Sequence, residues 1–232
     1  MNIAGLGARI RQVALTSADG TSQAVRLYEV DDLERYVDVG ALLGERDPVD
    51  PPYWALVWSG AEAVACALMA GPSLVGQTVL DLGAGLGLAG VAAALRGARV
   101  CFADRCPEAL AYAAASAAAN GLVGWDCVQL DFTSDQIARR FDRILAADVV
   151  YDRAHHAALA SFLERHLAHG GSIWLTDRLY VATDAFFADM CARGFADDVE
   201  DLVVPEMGET MKTRLHRLTR QVSVGAPAAQ PT

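Results

Sequence analysis

One glycine-rich segment constrains the fold of this chain more than any other feature of its sequence. The segment Asp81-Leu82-Gly83-Ala84-Gly85-Leu86-Gly87 ends the short apolar run 78–82 and precedes the alanine-rich stretch 88–96. The apolar run is typical of a buried strand, and the alanine-rich stretch favours a helix. A strand, a glycine turn and a helix in this order form a site for anions and nucleotides. Glycine lets a ligand approach the backbone, and the start of the helix offers free N–H groups.

The same alternation continues along the chain. Further strands are predicted over residues 98–103, 126–130, 142–147 and 172–176, with helices over 61–70, 88–96, 107–120, 154–169 and 182–193. Strands that alternate with helices predict an α/β fold with a doubly wound, mostly parallel sheet. Two late strand-like runs, 198–204 and 212–219, have no helix between them and predict an antiparallel hairpin at one edge of a seven-stranded sheet.

The ends of the chain differ in pattern from this central part. We predict an N-terminal extension and linker (1–52), a main domain (53–220) and a disordered Pro/Ala-rich tail (221–232). Within the extension, residues 1–20 are weakly patterned and residues 23–30 alternate like a strand. Residues 47–52 contain three prolines and predict a rigid linker, because each proline fixes its own φ and restrains its predecessor.

Composition and charge narrow the classes of function. Hydrophobic residues make up 53% of the chain, and the formal net charge is −10. An acidic surface repels phosphate backbones and anionic lipid, so neither nucleic acid nor membrane is an expected partner. No apolar run is long enough to span a bilayer, and the N-terminus does not resemble a secretory signal. The five cysteines match no zinc spacing, so we expect no metal, reduced thiols and a cytoplasmic location.

The glycine segment fits two fingerprints. Residues 85–90, Gly-Leu-Gly-Leu-Ala-Gly, match the G-x-G-x-x-G of dinucleotide-binding enzymes, with Asp104 near the distance expected for a ribose-binding acid. That register begins late after the strand and places Gly90 inside the helix, where a glycine more often allows close packing on the sheet. The other spacing, Asp81-x-Gly83-x-Gly85-x-Gly87, lies directly on the strand end.

In the second register the chain resembles the class I, seven-strand methyltransferases that use S-adenosylmethionine (SAM), whose first motif has this spacing and whose sheet ends in an antiparallel hairpin. The resemblance implies SAM as the cofactor. It places Gly83 and Gly85 against the methionine part of SAM, while Asp81 holds the loop or contacts the amino group. The other cofactor-binding residues that it implies are Trp58, Ala84, Gly87, Asp104, Arg105, Asp131, Phe132 and Ala147.

The resemblance also assigns the nucleoside half of SAM. Asp104 would accept hydrogen bonds from both ribose hydroxyls, and Arg105 would line the adenine. Asp131 would take the adenine amino group, with Phe132 packed on the ring. The alternatives are that Asp104 is a solvated acid at a strand end, and that Phe132 is an ordinary core aromatic.

Two motifs narrow the methyl acceptor. Asp148-Val149-Val150-Tyr151 follows the fourth strand, and Pro52-Tyr53-Trp54-Ala55 lies upstream. Together they resemble protein lysine methyltransferases with a D-x-x-Y or D-x-x-F motif, in particular the branch that methylates the β subunit of electron transfer flavoprotein. The resemblance makes Asp148 and Tyr151 the catalytic residues: the carboxylate orients the amine, and the ring faces the cation. It also places Trp58 and Ala147 in the SAM cleft.

The chain departs from that branch at two places. It has Ala146-Ala147 before Asp148, and Thr176-Asp177-Arg178-Leu179 where the branch usually has a Gly-Asp-Pro-Gly run. The predicted function is therefore methyl transfer from SAM to an acceptor, with a protein lysine favoured over a small-molecule nitrogen or oxygen. An NAD(P)-dependent oxidoreductase and a non-catalytic SAM-binding partner subunit remain as alternatives. His155 and His156 are expected on an exposed helix start, because two adjacent rings cannot face one pocket.

Overall fold

The strands that the structure describes form two separate sheets. A computed structural model describes residues 2–17, 19–31, 33, 52–178, 183–206 and 209–221. In chain order the strands are β1 (Asn2–Ile3), β2 (Leu6–Thr16), β3 (Ser22–Val30), β4 (Thr78–Leu82), β5 (Arg99–Asp104), β6 (Trp125–Gln129), β7 (Phe141–Ala146), β8 (Leu167–Arg178), β9 (Phe195–Glu206) and β10 (Glu209–Arg220). The first three make an antiparallel sheet, and the other seven make a mixed sheet in the order β6-β5-β4-β7-β8-β10-β9.

The mixed sheet has the predicted topology. Strands β6, β5, β4, β7 and β8 pair in parallel, whereas β10 runs antiparallel to both β8 and β9. This confirms a mostly parallel seven-stranded sheet that ends in an antiparallel hairpin. The chain order reverses between β4 and β7, so the sheet has its switch point there. Ligands of open α/β sheets bind beyond the carboxyl ends of the strands at such a point.

Among the described residues, five helices cover the two faces of this sheet. They are α1 (Ser59–Ala70), α2 (Leu88–Leu95), α3 (Pro107–Ala119), α4 (His156–His166) and α5 (Asp184–Ala192). Alternate side chains of β4 belong to two different cores: Val79 packs with residues of α1, α2 and α3, whereas Leu80 and Leu82 pack with residues of α4 and α5. The doubly wound arrangement follows from this alternation, since successive side chains of a strand point to opposite faces.

The N-terminal sheet packs on one of these helices. The Tyr112 hydroxyl, on α3, donates a hydrogen bond to the Gly7 carbonyl at 2.8 Å, and the Tyr28 N–H donates to the Ser116 hydroxyl at 3.0 Å. Residues 1–20, whose sequence is weakly patterned and for which no strand was predicted, contain β1 and β2. The side chains of residues 9–12 are all exposed, which hides the alternation that marks a half-buried strand.

The predicted helix over residues 154–169 was also too long. Helix α4 ends at His166, and Gly170-Gly171, expected to stop a helix, lie inside β8. A Cβ at Gly171 would lie 2.8 Å from the Asp142 carbonyl oxygen, so this glycine permits a close approach of neighbouring strands. The linker residues 47–51 and the tail residues 222–232 lie outside the described part of the chain. Within the described residues, no helix combines the length and apolar character needed to cross a bilayer.

Candidate active site

A cleft opens at the carboxyl ends of β4, β5 and β7. Every residue predicted to bind cofactor or acceptor lines it. These residues are Trp58, Asp81, Gly83, Ala84, Gly85, Gly87, Asp104, Arg105, Asp131, Phe132, Ala147, Asp148 and Tyr151. The sheet topology brings them together, because parallel strands end at the same edge.

The floor of the cleft is the glycine loop between β4 and α2. Gly83, Gly85 and Gly87 have φ values of 69°, 52° and 86°, a region that glycine adopts without steric cost. The N–H groups of Gly83 and Ala84 donate to the Ala103 carbonyl at 2.8 and 3.0 Å, which fixes the loop on β5. A Cβ at Gly85 would lie 3.2 Å from the Trp54 carbonyl oxygen. A side chain at this position would therefore crowd the loop against the Tyr53–Ala55 turn.

Asp81 is a buried carboxylic acid at the start of this loop. Only 2% of the residue is exposed, and its Oδ2 accepts a hydrogen bond from the Gly90 N–H at 2.8 Å. Burial raises the pKa of Asp81 to about 7, the Gly90 N–H opposes this shift, and the charge of Asp104 adds to it. A Cβ at Gly90 would overlap the Phe102 ring. Gly90 thus serves close packing between α2 and the sheet, and Asp81 joins the two elements.

Asp104, at the end of β5, supports the loop from the other side. Its Oδ2 accepts from the Gly85 N–H and its Oδ1 accepts from the Cys106 N–H, both at 2.9 Å. The residue is 7% exposed, and burial raises its pKa, while the two backbone N–H groups act to lower it. Asp104 is thus a buried, oriented carboxylate beside the cleft and not a solvated strand-end acid.

Asp131 and Phe132 lie at the end of the cleft that follows β6. Asp131 Oδ1 accepts from both the backbone N–H and the hydroxyl of Thr133, at 2.9 and 2.7 Å. The Thr133 hydroxyl is the main cause that lowers the pKa of Asp131. The Phe132 ring meets the His155 ring edge-on, with centroids 6.3 Å apart. This end of the cleft therefore presents an aromatic ring beside an ionised carboxylate, with Arg105 on the same wall.

Asp148 connects the end of β7 to helix α1. Its backbone is in the left-handed region, with φ of 53°, which is uncommon for a residue other than glycine. The side-chain Oδ2 accepts from the Gly60 N–H in the first turn of α1 at 2.9 Å, and the Asp148 N–H donates to the Thr176 hydroxyl at 3.0 Å. We call these three residues the Asp148 clamp. The positive end of the helix dipole stabilises the carboxylate.

Aromatic side chains form the mouth of the cleft. The Tyr53 and Tyr151 ring centroids are 5.7 Å apart, and those of Tyr53 and Trp58 are 6.1 Å apart. The Trp58 Nε1–H donates to the Tyr53 carbonyl at 2.7 Å, which closes the turn between the two residues. Trp54 points inward and packs on Tyr112 with centroids 5.6 Å apart. In residues 53–58, Trp54 therefore packs against the body of the molecule, whereas Tyr53 and Trp58 lie at the mouth of the cleft.

Sequence reasoning missed part of this site. Tyr53 belongs to a motif that was recognised, but it was given no role of its own. Gly60 and Thr176 were given no role in the site, because each is far from Asp148 in sequence and no local pattern shows that either residue meets that carboxylate. The two histidines were expected on an exposed helix start, but both are half-buried. His155 lines the cleft, whereas the His156 Nε2 lies 3.1 Å from the Val150 carbonyl oxygen.

Comparison with known sequences gives one family. Residues 55–193 match the model of a family described as lysine methyltransferase. The chain is 32% identical over 133 residues to the electron transfer flavoprotein beta subunit lysine methyltransferase of Mus musculus, covering 56% of this chain and 52% of that protein. It is 33% identical to the Danio rerio protein of the same name, covering 56% and 51%. The chain thus spans about half the length of these relatives.

Comparison with solved structures supports the fold. A ribosomal protein L11 methylase from Lactobacillus delbrueckii subsp. bulgaricus superimposes with a TM-score of 0.54 at 23% identity, covering 70% of this chain and 77% of that one. The N-methyltransferase NodS from Bradyrhizobium japonicum, in complex with S-adenosyl-L-homocysteine, gives a TM-score of 0.55 at 16% identity, covering 68% and 86%. At these identities the likeness shows the fold alone, and that fold is the Rossmann-like one of methyltransferases.

Proposed function

This chain belongs to the lysine methyltransferase family, and on that premise we propose that it transfers the methyl group of SAM to the side-chain amine of a lysine in a protein. The observation that carries the proposal is one cleft that joins the glycine loop to the D-x-x-Y motif, Asp148 to Tyr151. The proposed cofactor side and the proposed acceptor side of the site thus share one cleft. Methyl transfer from a sulfonium needs that juxtaposition above all, because alignment supplies most of the catalysis.

The residues of the floor suit SAM. The positive φ values of Gly83 and Gly85 leave backbone without side chains at the loop, which suits the close approach of the methionine part. Buried Asp81 suits a ligand that brings a positive amino group, since such a charge would compensate its desolvation. Buried Asp104 keeps its carboxylate oriented through two backbone N–H groups and suits the ribose hydroxyls.

The far end of the cleft suits the adenine. Phe132 offers a ring on which the adenine can stack, and Asp131 offers a carboxylate that can accept from its exocyclic amino group. Arg105 lines the same part of the cleft. Trp58 and Ala147 complete the wall between this floor and the acceptor side. These roles follow the family resemblance residue by residue, and the shared cleft supports them.

The acceptor chemistry falls to Asp148 and Tyr151. When bound, SAM supplies a methyl group on a positively charged sulfur, which is an activated leaving group. The lysine ammonium must lose its proton to solvent before it attacks, and Asp148 orients the resulting neutral amine by accepting its hydrogen bond. Tyr151 is 53% exposed at the mouth and offers its ring face to the cationic side chain.

The protein acceptor is proposed from the relatives. Those relatives are named for the electron transfer flavoprotein β subunit, so that subunit is the first substrate to test. The domain that carries the activity comprises residues 53–220, after an N-terminal extension and before the C-terminal tail, and we place the protein in the cytoplasm. The net charge of −10 favours a partner with exposed lysines over nucleic acid.

One labelling experiment separates a protein acceptor from a small molecule. The purified protein is incubated with tritiated SAM and cell lysate, and the lysate is then divided into protein and small-molecule fractions. We expect the label in the protein fraction, and in the electron transfer flavoprotein β subunit when it is supplied pure. An Asp104→Ala variant controls for transfer by contaminating enzymes. Label in small molecules alone would exclude a protein-lysine acceptor and leave a small-molecule methyltransferase.

A further inference from the structure

Tyr53 and Tyr151 have an unusual combination of exposure and contact. Among the residues that the structure describes, they are the only two aromatic side chains of Phe, Tyr or Trp that are exposed, at 44% and 53%. They lie 98 positions apart in sequence, yet their ring centroids are 5.7 Å apart, with an angle of 54° between the ring planes. Both line the same cleft. Aromatic rings left in solvent at one spot mark a binding surface.

The position of Tyr53 is fixed by its backbone. The Ala55 N–H donates to the Pro52 carbonyl at 2.9 Å, and the Trp58 Nε1–H donates to the Tyr53 carbonyl at 2.7 Å. Trp54, the next residue, is anchored against Tyr112. The Tyr53 ring is therefore held at the mouth by a turn whose other members pack into the molecule, and its exposure is built into that turn.

We propose that Tyr53 is a second acceptor-binding residue, which with Tyr151 forms an aromatic wall that binds the ammonium group of the incoming lysine and its methylated forms. The inference rests on the proposed function, because it assigns an acceptor to the same cleft. Ring faces attract cations through their quadrupole, and a methylated ammonium is less hydrated than a free one, so it loses less on reaching the rings. The negative Asp148 carboxylate in the same cleft also attracts the ammonium cation.

The wall has a consequence for the products. Since each methyl group makes the ammonium a better partner for aromatic faces, the wall retains a lysine that has already been methylated. We therefore expect the protein to form di- and trimethyl-lysine, and loss of the Tyr53 ring to shift the products toward monomethyl-lysine.

Binding of a small cation tests the wall without any need for turnover. The probe is tetramethylammonium chloride, titrated into protein saturated with S-adenosylhomocysteine and followed by NMR of the tyrosine ring signals. We expect Tyr53→Leu to weaken tetramethylammonium binding about two- to fivefold, the range of a cation–π contact at an exposed site. Tyr53→Phe should bind like the wild type, because the ring remains. Neutral tert-butanol, similar in size, should bind neither protein measurably.

Controls and the activity arm separate this inference from the proposed function. Tyr28→Leu removes a tyrosine of the N-terminal sheet and should leave tetramethylammonium binding unchanged. In methylation assays, Tyr53→Leu should raise KM for the labelled protein substrate about two- to fivefold at unchanged SAM affinity. Equal tetramethylammonium binding by wild type and Tyr53→Leu, or none by either, overturns the wall even if lysine is methylated. Tyr53-dependent cation binding without lysine methylation keeps the wall and overturns the proposed function.

Discussion

Two buried carboxylates, Asp81 and Asp104, give the floor of the cleft its character at the scale of single residues. Each is tied to a backbone N–H of the loop or helix that follows β4. Burial also raises the pKa of each carboxyl, because holding negative charge in the buried floor costs free energy. A ligand that brings hydroxyl donors and a positive charge relieves that cost. SAM has both, whereas a nicotinamide dinucleotide would bring its negatively charged pyrophosphate to the glycine loop, beside buried Asp81.

The first prediction concerns Asp104. Asp104→Ala should weaken SAM binding by about 2–4 kcal/mol, because hydrogen bonds to a charged group contribute about 1.5–3 kcal/mol each. The SAM affinity of Asp104→Asn should fall between those of the wild type and Asp104→Ala, since one side-chain oxygen still accepts a hydrogen bond. Isothermal titration calorimetry with SAM and with NAD measures both the loss and the class of ligand.

The matched control is Asp198→Ala, which removes a strand carboxylate whose side chain is 82% exposed. It should bind SAM like the wild type. Unchanged SAM affinity in a folded Asp104→Ala protein would contradict the role given to Asp104. Tight NAD binding without any SAM heat would contradict the class of enzyme as a whole.

At the scale of elements, the Asp148 clamp determines how the acceptor side is held. It joins the end of β7 to the start of α1 and to β8, and α1 follows directly on the turn that carries Tyr53 and Trp58. The Asp148 carboxylate, for which we propose a catalytic role, thus also positions the wall of the cleft. Thr176, one of the residues that departs from the flavoprotein branch, supplies the hydroxyl of this clamp, so the departure has a structural role here.

Gly60→Ala tests the clamp. A Cβ at Gly60 would overlap the Thr176 hydroxyl and lie 2.5 Å from Asp148 Oδ2, so the three groups must move apart. Forced overpacking of this kind typically costs about 1–3 kcal/mol of stability. We expect a lower thermal unfolding midpoint and a turnover that falls more than SAM affinity does, as measured by single-turnover methylation beside calorimetry.

Gly7→Ala is the control for this substitution. A Cβ at Gly7 would meet only Asp31, at 3.5 Å, an ordinary van der Waals distance. This variant should keep both stability and turnover. If Gly60→Ala proved as stable and active as Gly7→Ala, the clamp would be loose and Asp148 would not depend on α1.

The elements also show what the sequence can predict. The strand β4, its glycine turn and helix α2 were predictable, because each has a strong local pattern and the three are contiguous. The pair Gly170-Gly171 led to a wrong helix end, because the sequence of a glycine pair after a helix-like stretch is the same whether it ends the helix or lets two strands approach. The clamp was not predictable, because it depends on where β7, β8 and α1 come together in space.

At the scale of the whole molecule, topology accounts for the site. Residues from position 53 to position 155 reach one cleft because five strands run parallel and end at one edge. The family match spans residues 55–193 and so contains nearly all of this cleft. The N-terminal sheet lies outside the match and packs on α3. The net charge of −10 would complement the lysine-bearing protein partner that we propose.

The most direct test is to locate the transferred methyl group. The protein that becomes labelled is incubated with the enzyme and SAM, digested, and sequenced by tandem mass spectrometry. We predict methyl groups on lysine side-chain nitrogens at one or a few positions, formed by the wild type and greatly reduced with Asp104→Ala. Methyl groups on another residue type, or none on any protein under conditions where SAM binds, would contradict a protein-lysine methyltransferase.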